Sequence, residues 1–92
     1  MSEFTLPPAT TCASGGTHVS GIGLQGGGSL VWFDDSLDAQ VGSFNPASKQ
    51  FSIDTLVNCG AHPHDGLALD QATPPHVWWT EEFANALGRL TQ

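Results

Sequence analysis

The segment Val31-Trp32-Phe33-Asp34-Asp35 recurs 46 positions later as Val77-Trp78-Trp79-Thr80-Glu81. The likeness continues at that offset without a gap: Leu37 answers Phe83, Val41 answers Leu87, Gly42 answers Gly88 and Phe44 answers Leu90. Upstream, Gly21-Ile22-Gly23-Leu24 answers Gly66-Leu67-Ala68-Leu69 at an offset of 45, so the turn after Leu24 carries one residue fewer than its counterpart. Phe4-Thr5-Leu6 resembles Phe51-Ser52-Ile53, and Cys12 and Cys59 stand at comparable points before each copy. A single residue gained or lost in a turn is what two copies of one structural unit should show.

Within each copy, short runs of Val, Ile, Leu, Phe and Trp are separated by Gly, Pro, Ser and Thr, the pattern of strands joined by turns. The chain therefore reads as all-β, each copy having the four short strands of a β-propeller blade. The second copy predicts strands near Leu67 to Asp70, His76 to Thr80 and Ala86 to Thr91, with Phe51 to Ile53 as the outer strand of the first. Residues 1–54 form the first blade preceded by a spare strand at Glu3 to Leu6. Residues 55–92 form a second blade that lacks its own outer strand. The spare strand is expected to complete that second blade, in its own chain or a neighbour's. Two blades cannot close a ring, and each buries its faces only against neighbours. Copies of the chain are thus the expected partners, a homotrimer of six blades preferred and a homotetramer of eight the alternative, within the usual range of about four to eight.

Composition narrows the function classes. Only Lys49 and Arg89 oppose nine carboxylates, a net charge of −7, which argues against binding a phosphate backbone that Lys and Arg must neutralise. No apolar run approaches the length of a membrane span, and Met1-Ser2-Glu3-Phe4 lacks the charged and apolar regions of a signal peptide. A soluble, cytoplasmic protein is expected. Gly26-Gly27-Gly28 has no following Lys and helix, so it reads as a hairpin turn and not a phosphate cradle. The cysteines are expected to be free thiols, because equivalent loops on neighbouring blades should stand farther apart than the roughly 7 Å that a bridge allows between Cα atoms.

Pro63-His64-Asp65-Gly66-Leu67-Ala68-Leu69-Asp70, followed by Val77-Trp78-Trp79-Thr80-Glu81 and Ala86-Leu87-Gly88-Arg89-Leu90, resembles a blade of the virginiamycin B lyase (streptogramin B lyase) family. The first copy carries the pattern less fully: Val19 and Ser20 stand where His64 and Asp65 do, and Asp34-Asp35 replace Thr80-Glu81. The resemblance implies a propeller which, with Mg²⁺, linearises cyclic depsipeptide antibiotics by elimination at an ester. It further implies His64 as general base and Glu81 as a magnesium-binding residue. That family's propeller has an odd number of blades, seven, which copies of a two-blade chain do not reproduce. Where the family has an acidic residue two positions before the histidine, this chain has His62, and a His62-x-His64 pair suits zinc or nickel better than magnesium.

Antiparallel pairing puts the start of the innermost strand and the end of the second at one end of the blade, so His64 and Glu81 are expected near each other. Imidazole titrates near neutrality and suits removal of a carbon-bound proton. The plainer reading gives His64 a turn role, leaves Glu81, Glu82, Asp34, Asp35 and Asp38 as solvated loop tips, and packs Trp32, Trp78 and Trp79 between blades. His18 and His76 sit in no motif and receive no role. Three functions follow: a self-assembling structural protomer, an eliminating lyase, or a module binding a metal ion or small ligand at the ring mouth.

Overall fold

A computed structural model describes residues 1–9, 11–12, 17–56 and 58–92. It is all-β: the described residues hold seven strands and no helix, hence no helix long and apolar enough to cross a membrane. β1 (Val19–Gln25), β2 (Leu30–Asp35), β3 (Gln40–Asn45) and β4 (Gln50–Thr55) form one antiparallel sheet in chain order. β5 (Pro63–Leu69), β6 (Val77–Glu81) and β7 (Ala86–Leu90) form a second. The sheets meet along β1 and β5, with β2 also touching β5.

The sequence repeat is a repeat of register. Trp32 lies opposite Gly23 and Ser43, and Trp78 opposite Ala68 and Arg89; Phe33 lies opposite Ile22 and Gly42, and Trp79 opposite Leu67 and Gly88. β1 and β5 each break register at matching points, between Val19 and Ile22 and between Pro63 and Leu67. The missing turn residue is taken up by Gly26, Gly27 and Gly28, all at positive φ, where a Cβ would be strained. The longer second turn is instead organised by Asp70. Its carboxylate accepts from the Ala72 and His76 amides at 3.0 and 2.9 Å and from the Trp78 indole at 3.1 Å. Those bonds, the Trp78 indole foremost, hold its pKa well below the usual carboxylate range.

Strand alternation gives each sheet two faces. The first sheet turns Leu30, Trp32 and Val41 toward the second, which answers with Val77 and Trp79 flanked by Leu67, Leu69 and Leu90; these residues are the core. Gly23 makes the close approach possible, since a Cβ there would stand 2.8 Å from Leu67 and 2.9 Å from Leu69. The opposite face of the first sheet carries Ile22, Leu24, Val31, Phe33, Phe44 and Phe51, and Ile22 and Leu24 are 71% and 63% exposed. Residues 3–6 form no strand in the single chain. Phe4 lies on this outer face with its ring 4.6 Å from that of Phe44, and Leu6 lines the same groove of about 230 Å³.

Two expectations are corrected. Cys12 and Cys59 are joined in a disulfide with Cα atoms 5.3 Å apart, and no free cysteine remains. The loops that carry them lead into β1 and β5, the strands along which the sheets touch, so they converge where blades in isolation suggested divergence. Asp34, Asp35 and Asp38 are buried, not solvated. Their carboxylates bind the entry to β1: Asp35 accepts the His18 amide at 2.7 Å, Asp34 accepts Ser20 Oγ and the Gly21 amide at 2.9 and 2.8 Å, and Asp38 accepts Thr17 Oγ1 at 3.4 Å. Buried carboxylates persist where such donors replace water.

Candidate functional site

The register break at the start of β5 shapes the one cluster of metal-ligating side chains found among the described residues. His62 and Asp65 both adopt positive φ, 56° and 62°, on either side of His64. Two backbone bonds clamp this segment to the loop after β6: the Glu82 amide donates to His62 O and the Phe83 amide to Ala61 O, each at 3.1 Å. The result brings His62, His64 and Glu82 together, with one donor atom from each lying within 4.8 Å of the others. Glu82 Oε2 is 3.3 Å from His64 Nδ1 and 3.8 Å from His62 Nε2, and Asp65 Oδ2 is 3.2 Å from the same His64 nitrogen. The two imidazoles are mostly buried side chains, at 18% and 27% exposure, while Glu82 is half exposed. Phe83 stacks on His62 at 4.2 Å and closes one side of the cluster.

Glu81 goes elsewhere. Its backbone pairs with Pro63, as antiparallel strands require, but its side chain shares the inward face with Trp79 and accepts the Trp79 indole N–H at 2.9 Å. Glu82, one residue beyond the strand, is the carboxylate that reaches the histidines. Nitrogen donors dominate this cluster, whereas Mg²⁺ takes oxygen ligands in near-octahedral array. The donor set therefore does not match magnesium.

His18, given no role by its sequence surroundings, stands beside the cluster with its ring edge-on to His64 at 5.7 Å. The backbone explains why. The Ser36 amide donates to His18 O just as the Glu82 amide donates to His62 O, so His18 is the first copy's counterpart of His62. An alignment at offset 45 hides this equivalence, because the bulge in the second copy is longer by one residue; the recurring His before each bulge was the available signal. His76 lies apart, its Nδ1 2.7 Å from Asp70 Oδ2 in the β5–β6 turn.

Compared with protein-family models, with curated proteins and with solved structures, the chain matches none.

Proposed function

We propose that this chain is a self-assembling two-blade protomer whose copies join head to tail into a closed β-propeller. One observation carries the reading: the two faces left open are the repeat counterparts of the two faces already packed together. On the outer face, the exposed Ile22 and Leu24, the half-buried Val31 and the buried Phe33 and Phe44 correspond to Leu67, Leu69, Val77, Trp79 and Leu90, which form the second sheet's half of the core. The outer face of the second sheet offers Ala68, Trp78, Thr80 and Leu87 around a groove of about 340 Å³, with Leu87 71% exposed. These correspond to Gly23, Trp32, Asp34 and Val41, which lie on the first sheet's inward face. A second copy therefore presents to the first the same pairing of faces that the chain makes internally, with Ile22 and Leu24 of one copy over Ala68 of the next. Such a contact is heterologous, and a ring is the arrangement in which it leaves no face open.

The N-terminal segment fits the same scheme. Phe4 and Leu6 lie at the face that a neighbour would cover, and in the proposed ring they would add to the neighbour's β7. Phe44 pairs with Phe51 and Gly42 with Ile53 in the first sheet, so the repeat sets the register of the added strand: Leu90 opposite Phe4 and Gly88 opposite Leu6 of the adjoining chain. The added strand removes an open sheet edge. Three chains giving six blades remain the preferred ring, four giving eight the alternative. The Cys12–Cys59 bond supports an oxidising compartment over the cytoplasm. For the eliminating lyase implied by resemblance, the geometry offers His64 beside carboxylates but turns Glu81 to Trp79, so assembly is the better-supported function.

Native mass spectrometry and light scattering of the intact chain test this, with Ala68→Arg as the disrupting variant. Ala68 is exposed in the single chain, so the fold survives the change while the seat for Ile22 and Leu24 is filled. Burying each of those side chains contributes about 1.5–3 kcal/mol, so their loss weakens association by at least roughly tenfold. A wild-type mass of three or four chains, lost in Ala68→Arg, is expected. A monomeric wild type at about 100 µM, or an oligomer indifferent to Ala68→Arg, would overturn the reading.

A further inference from the structure

We infer that His62, His64 and Glu82 form a binding site for a transition-metal dication of the zinc class. One donor pair already has the separation such an ion imposes, and all three donor atoms lie within 4.8 Å of one another. Zinc bonds to His nitrogen and carboxylate oxygen are about 2.0–2.1 Å, which places tetrahedral ligands about 3.3–3.4 Å apart. Glu82 Oε2 stands 3.3 Å from His64 Nδ1, and the 3.8 Å to His62 Nε2 closes with a small rotation of the half-exposed Glu82 side chain. The positive-φ residues His62 and Asp65 and the clamping Glu82 and Phe83 amides hold the backbone that carries the histidines, with the Phe83 ring stacked on His62, so the donors close onto an ion by side-chain adjustment. Holding that backbone before binding lowers the ordering cost.

The composition of the site selects the class of ion. Two imidazoles and one carboxylate suit zinc, nickel or copper, whereas calcium and magnesium require oxygen. Asp65 Oδ2, 3.2 Å from His64 Nδ1, adds negative charge beside the ion, and the chain's net charge of −7 favours any cation. Three protein ligands leave one tetrahedral position for water or a ligand atom, and His18 borders the site with its ring 5.7 Å from that of His64. All three ligands belong to one chain. The site therefore stands independently of the assembly proposed above and should persist in monomeric Ala68→Arg.

The competing account is a simple set of ion pairs, protonated histidines facing Glu82 and Asp65 with no affinity for metal. Calorimetric titration of the whole, chelator-treated protein with Zn²⁺ at pH 7.5 separates the two, with Mg²⁺ titrated in parallel and the visible spectrum of the Co²⁺-loaded protein as a report on geometry. The expected result is about one Zn²⁺ per chain, at least tenfold weaker binding in His64→Ala and Glu82→Gln, unchanged binding in His76→Ala, and the intense visible bands of tetrahedral Co²⁺. Circular dichroism of each variant checks folding, and Glu82→Gln, at an exposed position, serves where His64→Ala does not fold. No Zn²⁺ binding up to about 1 mM, undiminished binding in both site variants, or Mg²⁺ bound as tightly as Zn²⁺ would overturn the assignment.

Discussion

Replacing both cysteines, as Cys12→Ala/Cys59→Ala, should remove a large share of the chain's stability. The bridge spans 47 positions, about half of the sequence. Loop-closure entropy for a ring of that size amounts to about 4 kcal/mol at 25 °C. A chain of this length is held by about 5–14 kcal/mol in all, so the loss is between a third and most of the total. With a urea dependence of about 1–2 kcal/mol per molar, the unfolding midpoint falls by about 2–4 M. Urea titration followed by tryptophan fluorescence measures this, and protein concentration must be fixed because association shifts apparent stability. Reduced wild type should fall to the same midpoint as the double variant, since both lose the same constraint on the unfolded chain. Two thiols titrated in unreduced, denatured protein, or a midpoint shift below about 0.5 M, would refute the argument.

Two other perturbations probe particular residues. Gly42→Ala places a methyl group 2.6 Å from the Phe33 ring and 3.0 Å from the Ser52 carbonyl in a central strand, so it should cost about 1–3 kcal/mol, with the melting temperature falling by roughly 4–8 °C for each; an unchanged melting temperature would show that the sheet yields there. Burial pushes the Asp35 carboxyl above its ordinary value and nearby Asp38 adds to the rise, against bonds from the His18 amide and Gln40. A raised folded value means that this contribution to stability is present below the usual carboxylate range and is lost as pH rises through the folded value. Asp35→Asn should therefore lose less stability than wild type between about pH 4 and pH 7, measured by urea unfolding across that range; parallel profiles would exclude Asp35 as the source.

The strands were legible because their pattern is local. Trp32 and Trp78, Gly42 and Gly88, and the compensating glycines after Gln25 carry enough information to place six strands and both turns before any contact is known. The disulfide was not legible, because it depends on how β1 and β5 meet, a tertiary relation that a separation of 47 positions does not encode locally. The buried aspartates failed for a related reason: polarity marks Asp34 and Asp35 as surface unless one knows that the His18, Ser20 and Gly21 donors arrive from another strand. At the cluster, His62 and His64 were visible as a pair, but the carboxylate was displaced by one position. Alternation along β6 sends Glu81 to the face of Trp79, and only the end of the strand frees Glu82 to turn back.

The covalent link between Cys12 and Cys59 makes the junctions of any ring unequal. Every second seam is stitched, because the sheets on either side belong to one chain and are tied at their adjoining loops. In the proposed ring the alternate seams would rest on apolar contact and a borrowed strand. Dilution or mild denaturant should part the proposed ring along the unstitched seams first, releasing folded two-sheet wedges able to close again, with unfolding of the wedge itself as a separate and later event.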